Sequence, residues 1–571
     1  MRGYEKECIL GPLFKLLEAT LELLVPLVVA ALIDKGISGG DRPLVLRMAL
    51  LLVLFGAVGL FFSCIAQFFA AKAAVGFVTR IRSALFSHIQ TLSYAENDRL
   101  GTSTLITRMT GDTAQVQSGV NLGLRLLLRS PFVVFGAMIM AFFVDVKSAL
   151  WFVAVIPLLS VVVFGVMLYS MPLYKKVQRK LDSLLRATRE NLSGTRVLRA
   201  FTEEDGEIRR FEESNESLTG EHVHVGKISA LLNPVTYVLI NFAIIALIYT
   251  GAIRVEAGLL SQGAVIALYN YMSQILIELI KLANMIIQIT KALASAKRIE
   301  AVLETKNSQI KGTECTKGEG EDAIVFDRVS FTYPGAKEPS LSDISFSVRR
   351  GQTLGIIGGT GAGKSTLAQL IGGFYDASEG EISILGRSVQ SYDARALSGF
   401  IGMIPQKSVL FRGSIRDNMK LGCPSASDEE IAEAIAIAQA SEIIKDKGGL
   451  DAEISQGAKN LSGGQRQRLS IARALVQKPD ILVFDDSSSA LDFATEAALR
   501  RDLSALPEGT TKVIISQRAS TLSEADKILV LDDGKLIGVG TSDELLKNCS
   551  VFREIYESQF GAKEGGKNEE E

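Results

Sequence analysis

The sequence predicts a multi-domain chain: an all-α domain of six transmembrane helices with long cytoplasmic helical extensions, followed by an α/β domain. The chain has 571 residues, too many for a single hydrophobic core. Its mean hydropathy of +0.25, with 47% hydrophobic residues, is high for a soluble protein. Long apolar runs fill the first half, whereas a mixed composition begins near Asp322. The two halves are therefore expected to fold as different kinds of domain.

Six apolar stretches are long enough to cross the hydrocarbon core of a bilayer, which is about 30 Å thick and takes about 20 helical residues. They cover residues 13–33, 44–70, 126–144, 149–169, 229–250 and 263–289. The first is the weakest, because Lys15, Glu18 and Glu22 occupy its opening turns. We predict a transmembrane domain over residues 1–303.

The connections between these stretches alternate in length and charge. Residues 72–125 and 170–227 form long polar loops rich in arginine and lysine, whereas the other connections are short. Because basic loops favour the cytoplasmic side, both long loops and both chain ends are predicted to be cytoplasmic, in a multi-pass protein of the cell membrane. Residues 181–211 keep helical apolar spacing, so helices are expected to project into the cytoplasm.

The second half alternates β-rich runs with helical ones, which is typical of an α/β domain with a largely parallel sheet. The β-rich runs are residues 323–331, 353–357, 481–484, 512–515 and 527–531. A polar, glycine-containing stretch without periodicity precedes them and is interpreted as a linker over residues 304–322. The α/β domain is predicted to span residues 323–562, and a charged tail to follow at 563–571.

Charge and cysteine content argue against several classes of function. The net charge of −2 and the pI near 6.2 lack the basic footprint of a nucleic-acid-binding protein, so no nucleic-acid partner is expected. The five cysteines stand far apart and form no CxxC pair, so neither a disulfide framework nor a zinc site is indicated. The thiols are expected to be reduced.

A glycine-rich phosphate-binding loop, or P-loop, follows the β-rich run at 353–357. Its residues are Gly358, Gly359, Thr360, Gly361, Ala362, Gly363, Lys364 and Ser365, and an apolar helical run begins at Thr366. The pattern G-x-x-x-x-G-K-[ST] between a strand and a helix lets backbone N–H groups surround phosphates, while the lysine adds positive charge. Ser365 is predicted to ligate Mg²⁺, and Asp485, after the run at 481–484, to supply a second metal-side carboxylate.

A five-residue signature lies between the P-loop and Asp485 and indicates a particular family of P-loop proteins. Its residues are Leu461, Ser462, Gly463, Gly464 and Gln465. LSGGQ is the hallmark of the ATP-binding cassette (ABC) family, which the chain resembles also at Tyr333 in FTYPG, Gln406 in MIPQ and the SSSALD run at 487–492. With six spans ahead of one such cassette, nearly the whole chain resembles a type IV exporter-like half-transporter. The resemblance implies ATP and Mg²⁺ as cofactors.

The family resemblance also implies roles for individual residues. Tyr333 stacks on adenine, a contact worth about 1–3 kcal/mol per base in related settings. The implied metal ligands are Ser365, Gln406 and Asp485, and Thr366 joins the nucleotide-binding residues. The LSGGQ residues and Asp492 contact ATP held by the P-loop of a partner subunit, through N–H donors at a helix start. Residues 101–112 and 190–204 resemble segments that dock on cassettes as coupling helices.

Two positions depart from the family pattern. Where the family has a glutamate that polarises the attacking water, this chain has Asp486, whose carboxylate is set back by about 1.5 Å, one C–C bond. A misplacement of about 1 Å can slow a reaction about 10²-fold. Where the family has a histidine beside the γ-phosphate, this chain has Gln517, which hydrogen-bonds but takes up no proton. We therefore expect efficient ATP binding and slow hydrolysis at this site.

These departures favour one chain of a bacterial, multidrug-type heterodimeric exporter with unequal sites. Its expected partners are a second half-transporter, membrane lipid and a small-molecule, lipid or peptide cargo, and its LSGGQ is expected to complete the partner's active site. The alternatives are a homodimer with two slow sites, a nucleotide-gated channel or regulatory ABC membrane protein, a siderophore importer on an exporter fold, and a soluble ABC protein of DNA repair or translation. The sequence does not select the cargo.

Two opposite charges lie inside the last apolar stretch. Glu278 and Lys281 are three residues apart, so they lie on one face of a helix. Charges at membrane depth are usually paired or functional. The sequence leaves two interpretations open, a local ion pair and the lining of a cavity.

Overall fold

The computed structural model describes residues 3–309, 311–487, 491–507 and 509–560. The chain divides into two compact units. The membrane unit contains the residues up to Gln90 together with Ser103–Thr305, and the cassette unit contains Thr91–Thr102 together with the described residues from Lys306 onward. Two predicted features, Ser488 to Ala490 of the SSSALD run and the charged tail at 563–571, lie outside the described residues.

Long helices form the membrane unit. The helices of the first half, among the described residues, are α1 Glu5–Ala31, α2 Arg42–Thr91, α3 Tyr94–Leu100, α4 Thr102–Thr107, α5 Thr113–Leu126, α6 Arg129–Val144, α7 Val146–Phe201, α8 Glu204–Ala230, α9 Leu232–Glu256 and α10 Gln262–Leu303, with π-helical turns at Leu32–Ile37 and Arg108–Asp112. All of them except α3 lie wholly or mainly in the membrane unit.

Six helical segments in the described part of the chain are long and apolar enough to cross a membrane. They are Glu5–Ile37, Arg42–Thr91, Thr102–Val144, Val146–Phe201, Glu204–Glu256 and Gln262–Leu303. Each predicted apolar stretch falls within one of them, which confirms the six-helix membrane domain. Helix α7 has 56 residues and is about 84 Å long at 1.5 Å per residue, so it extends well beyond a hydrocarbon core of about 30 Å.

Helix α10 packs against α1, α5, α6, α7 and α9. Buried apolar side chains such as Leu268 fill these contacts. The hydroxyl of Tyr271 on α10 donates a hydrogen bond to the backbone oxygen of Leu23 on α1 at 2.7 Å. Where α5 crosses α10, a Cβ atom at Gly119 would lie 2.1 Å from the Cβ of Ala292, so the glycine permits the close approach of the two helices.

A buried network of charges joins α1, α6 and α10. Glu278 on α10 is 2% exposed and accepts hydrogen bonds from Arg129 at 2.6 Å, from Lys281 at 2.8 Å and from Ser130 at 2.9 Å. Arg129 on α6 also pairs with Glu22 on α1 at 2.6 Å. The local pair of Glu278 and Lys281 is therefore present, and the sequence did not predict the two partners on α6.

Replacing Glu278 with alanine is expected to destabilise the membrane unit strongly. The substitution would remove one of the two carboxylates that pair with the buried Arg129, and breaking a buried pair in this way costs about 3–5 kcal/mol. The apparent melting temperature of the full chain in lipid nanodiscs measures the effect. The matched control is Glu221→Ala, which removes a carboxylate from the less deeply buried pairs with Lys176 and Lys180. Equal shifts for both variants would contradict the prediction.

The cassette unit contains three sheets among its described residues. The strands are β1 Asp322–Phe331, β2 Leu341–Arg349, β3 Thr353–Gly358, β4 Glu379–Ile384, β5 Arg387–Ser388, β6 Ile401–Ile404, β7 Gly413–Ser414, β8 Glu453–Ile454, β9 Ile481–Asp485, β10 Thr511–Ile515, β11 Lys527–Asp532 and β12 Lys535–Gly540. The largest sheet has the order β12-β11-β3-β10-β9-β6, a second sheet has the order β2-β1-β4-β5, and β7 pairs with β8.

The predicted α/β class is confirmed, with one strand in a different sheet. In the six-stranded sheet all neighbouring strands are parallel except β11 and β12. Strand β1, predicted with the parallel runs, instead pairs with β2 and β4 in antiparallel fashion. The connection from β1 to β2 is shorter than the dozen or so residues that a parallel crossover needs, so a hairpin forms.

Helices cover the six-stranded sheet and complete the core of the cassette unit. Those described are α11 Lys364–Ile371, α12 Ala394–Phe400, α13 Ile415–Lys420, α14 Asp428–Ile437, α15 Ser441–Lys447, α16 Gly463–Val476, α17 Phe493–Ser504, α18 Ala519–Leu522, α19 Ser542–Asn548 and α20 Ser550–Phe560. Buried residues of β3, β9 and β10 pack with α11 in one apolar cluster, so the P-loop emerges from a rigid base.

Helix α3 belongs to the cassette unit although the chain on both sides of it belongs to the membrane unit. The ring of Tyr94 stacks on that of Phe374 with 4.6 Å between ring centroids, and Ala95 packs on the cassette core. Of the predicted docking segment at 101–112, Gly101 and Thr102 belong to the cassette unit and the rest to the membrane unit, so its docking stays a prediction. The aromatic contact comes from Tyr94, and Gly101, with a φ of 74°, ends the helix. The other predicted docking segment, 190–204, lies in the membrane unit, at the end of α7 and the start of α8.

Candidate nucleotide site

The P-loop lies between β3 and α11, as the sequence predicts. Its glycines are required by the backbone: Gly361 and Gly363 have φ values of 86° and 93°, in the left-handed region that favours glycine. A Cβ atom at Gly358 would lie 2.2 Å from the backbone oxygen of Leu531. No atom of the described residues lies within 4 Å of a Cβ built at Gly359 or Gly361, so the loop presents open backbone on its outer side. Such a loop at a helix N-terminus fits phosphate.

Lys364 folds back over this loop. Its ammonium donates hydrogen bonds to the backbone oxygens of Gly358 at 2.8 Å and Gly359 at 2.6 Å. Burial lowers the pKa of Lys364, and the nearby carboxyl groups of Asp485 and Asp486 oppose that effect. The carbonyl oxygens thus hold a cation beside the glycine loop, where it fits a phosphate group.

Ser365 and Asp485 are brought together next to the lysine. The hydroxyl of Ser365 donates to the carboxylate of Asp485 at 2.9 Å. Asp485 is 7% exposed at the end of β9, and burial raises the pKa of its carboxyl group. A hydroxyl and a carboxylate are oxygen ligands of the kind that Mg²⁺ prefers, and a divalent cation would stabilise the ionised form of Asp485. The two residues therefore fit the predicted metal site.

Asp486 is held beside Gln406. Its backbone has a φ of 45°, and its N–H donates to the backbone oxygen of Ile515 on β10 at 3.1 Å. The amide of Gln406 donates to the Asp486 carboxylate at 3.4 Å. Burial raises the pKa of Asp486. The structure thus brings Gln406, which the family resemblance makes a metal ligand, next to the residue at the position of the family's catalytic glutamate.

The Gln517 loop is supported by a residue that sequence reasoning missed. The side chain of Gln559 on α20 donates to the backbone oxygen of Gln517 at 2.7 Å and accepts from the backbone N–H of Ala519 at 2.8 Å. The neighbouring Arg518 pairs with the buried carboxylate of Glu496 at 3.2 Å. A cavity of about 790 Å³ is lined by residues that include Asp486, Gln517 and Arg518. No local motif marks Gln559, since its role depends only on where α20 packs.

Tyr333 lies beside the P-loop helix. Its hydroxyl donates to the side-chain oxygen of Gln369 at 2.7 Å and lies 3.2 Å from the hydroxyl of Thr366, both on α11. The ring makes edge contacts with Phe331 and Tyr375, with centroid distances of 4.8 and 5.4 Å. The half-buried ring is therefore tied to the same helix that carries Lys364, which suits a platform for adenine.

The LSGGQ signature forms the N-terminus of α16. Ser462 caps the helix by accepting from the N–H of Gln465 at 3.2 Å, while the Gln465 side chain accepts from the N–H of Ser462 at 2.9 Å. Leu461 is buried, and in the part of the chain that the structure describes no atom lies within 4 Å of a Cβ built at Gly463. The helix start is thus anchored on one side and open on the other, as a contact to another molecule requires. Asp492 caps α17 through the N–H of Thr495 at 2.9 Å.

A P-loop with a lysine, a serine and a strand-end carboxylate, joined to six membrane-spanning segments, defines a membrane protein with an attached ATPase domain. The family profile described as "ABC transporter transmembrane region" matches residues 8–279, and the profile described as "ABC transporter" matches residues 341–489. The chain is 36% identical over 548 residues to the uncharacterised ABC transporter ATP-binding protein YfiB of Bacillus subtilis, covering 96% of this chain and 95% of the relative. The chain belongs to the ABC transporter family.

Two further similarities agree with this assignment. The chain is 34% identical over 495 residues to YheI of Bacillus subtilis, described as a probable multidrug resistance ABC transporter ATP-binding/permease protein, covering 85% of this chain and 84% of that protein. A bacterial Atm1-family ABC exporter with ATP bound superposes with a TM-score of 0.81 at 24% identity, covering 99% of this chain and all of that one. The fold is therefore that of an ABC exporter with the membrane domain and the ATPase domain in one chain.

Proposed function

We propose that this chain is one subunit of an ABC exporter that couples ATP binding and hydrolysis to the movement of cargo across the cell membrane. A second half-transporter is its partner, and the two nucleotide sites are unequal. One relative is named for multidrug resistance, and another is the ATP-dependent lipid A-core flippase of Salmonella typhimurium, at 28% identity. These names favour a hydrophobic or amphipathic cargo. No observation favours the channel, importer or soluble alternatives.

Residues of this chain hold ATP at its own P-loop. The glycine backbone and Lys364 bind the phosphates, and Ser365 with Asp485 holds Mg²⁺, which neutralises phosphate charge when it is bound. Tyr333 supports the base. On the other face, the open N–H groups at the start of α16 bind the phosphates of ATP held by the partner. Each site therefore needs both subunits, and nucleotide draws the two cassettes together.

The main support for two unequal nucleotide sites is the aspartate at position 486. Its side chain is shorter by one C–C bond, about 1.5 Å, than that of the glutamate which the family has here. The Asp486 backbone is held to β10 by its hydrogen bond to Ile515, so a shift of the main chain toward the water is resisted. The side chain of Gln517 forms hydrogen bonds but takes up no proton, so it adds no base to the site. The result is a site that retains ATP and hydrolyses it slowly, while the partner's site supplies most turnover.

Co-purification and flux measurements test this proposal. The full chain, purified in mild detergent from cells that express it natively, should bring down a second half-transporter in equal amount. In proteoliposomes the complex should move a fluorescent hydrophobic cation or a fluorescent phospholipid in an ATP-dependent and vectorial manner. An ion current without vectorial flux, or a lone chain with rapid ATP hydrolysis, would overturn the proposal.

A further inference from the structure

The loop formed by residues 372–376 directly follows α11 and contacts α3. The chain enters the cassette unit twice, and α3 lies in the first of these two entering segments, Thr91–Thr102. The hydroxyl of Tyr375 donates to the carboxylate of Asp98, and Phe374 stacks on Tyr94 with an interplanar angle of 20°. The loop therefore holds α3 by one hydrogen bond and one aromatic stack.

The same loop also holds the second entry, the chain that follows Lys306. The side-chain amide of Gln309 donates to the backbone oxygen of Gly373 at 3.0 Å and to the carboxylate of Asp376 at 3.1 Å. The ammonium of Lys311 donates to the same Gly373 oxygen at 2.8 Å. The two segments by which the chain enters the cassette unit are thus fastened to one loop of five residues.

Tyr375 also contacts Tyr333, the predicted adenine platform. Its ring meets that of Tyr333 edge-on, with an interplanar angle of 83°. Tyr375 is 7% exposed, and burial raises the pKa of its phenol, so its hydroxyl keeps the proton that it donates to Asp98. A hydrogen bond to a carboxylate is among the stronger ones. Tyr375 thus connects Tyr333 and α3 through one packed contact and one charge-assisted hydrogen bond.

We propose that Tyr375 is a positioning residue that transmits occupancy of the adenine pocket, sensed at Tyr333, to α3 through its hydrogen bond with Asp98. This inference rests on the proposed binding of ATP at this P-loop and adds that the base carries a signal separate from that of the phosphates. Helix α3 is separated from the 50-residue helix α2 by two residues, so a change at α3 reaches a membrane span directly. Packed side chains and hydrogen bonds are the physical carriers of such coupling.

Hydrogen exchange of residues 91–102 tests the proposal. The full chain in lipid nanodiscs should show slower amide exchange in this segment when Mg²⁺ and ATP are added. Inorganic tripolyphosphate, which carries phosphates without a base, should leave the exchange unchanged. In the Tyr375→Phe variant the effect of ATP should fall by about fivefold or more, within the usual range of coupling between sites. Nucleotide affinity, measured separately with a fluorescent ATP analogue, should stay within about twofold, because Tyr375 supports the platform with its ring and not with its hydroxyl.

The matched control is Tyr392→Phe, which removes a buried tyrosine hydroxyl that donates to the backbone oxygen of Ile384 at 2.9 Å in the same unit. It should retain the full response to ATP, and Asp98→Asn should reproduce the loss seen in Tyr375→Phe. Three results would overturn the inference: a full response in Tyr375→Phe, an equal loss in Tyr392→Phe, or an equal response to tripolyphosphate. If the wild-type chain binds ATP and residues 91–102 do not respond, the inference fails alone. If it binds no ATP, the proposed function fails with it.

Discussion

Replacing Lys364 with alanine is expected to abolish ATP-driven transport and to weaken nucleotide binding at this chain's P-loop by about 10- to 100-fold. Hydrogen bonds to charged groups contribute about 1.5–3 kcal/mol, and 1.4 kcal/mol corresponds to a tenfold change in affinity. The ammonium is already oriented over the glycine loop by two backbone oxygens, so alanine removes a preorganised partner for the phosphates. Titration of the full chain with a fluorescent ATP analogue measures the loss of affinity, and flux into proteoliposomes measures the loss of transport.

A second lysine provides the control for this variant. The ammonium of Lys527 donates to the backbone oxygen of Ser347 at 2.6 Å, the same type of contact outside the nucleotide site. Lys527→Ala should leave nucleotide affinity and transport close to those of the wild type. Wild-type affinity in Lys364→Ala would show that this P-loop does not bind the phosphates.

Replacing Asp486 with glutamate should increase ATP hydrolysis at this site by about 10- to 100-fold. The added methylene moves the carboxylate about 1.5 Å toward the water, and misplacement on this scale accounts for about a 10²-fold loss in rate. Adding Gln517→His should raise the rate further, because an imidazole adds a group that exchanges protons near neutral pH. The measurement is the release of phosphate in single turnover by the full complex, with the partner's catalytic carboxylate removed so that only this site contributes.

Asp485→Glu is the control for Asp486→Glu. It separates the position of the carboxylate at residue 486 from a general effect of a longer side chain. Asp485→Glu lengthens the residue that already contacts Ser365 at 2.9 Å, so it should crowd the metal side and lower the rate. Unequal sites also predict that Asp486→Asn reduces transport less than removal of the partner's catalytic carboxylate. An unchanged rate in Asp486→Glu, or equal losses from the two carboxylate removals, would contradict the asymmetry.

Much of the candidate site was predictable because its motifs are local. The P-loop, Asp485 and LSGGQ each belong to one short segment, and the geometry of Ser365 with Asp485 agrees with their predicted shared role. The contact of Gln406 with Asp486 likewise agrees with the roles that the family resemblance implies. Tyr94 and Ala95 carry no motif, so their contacts with the cassette core are known only from the structure.

By itself the sequence determined the class of the protein: six apolar segments of spanning length, a strand and helix around a phosphate loop, and a helix start marked by LSGGQ. These are properties of continuous segments, so hydropathy, periodicity and spacing reveal them. Only the tertiary structure decided which distant residues meet: Asp98 with Tyr375 across 277 positions, Arg129 with Glu278 across 149, and Gln517 with Gln559 across 42. Such pairs depend on how helices and sheets pack, and no local pattern in the chain encodes that packing.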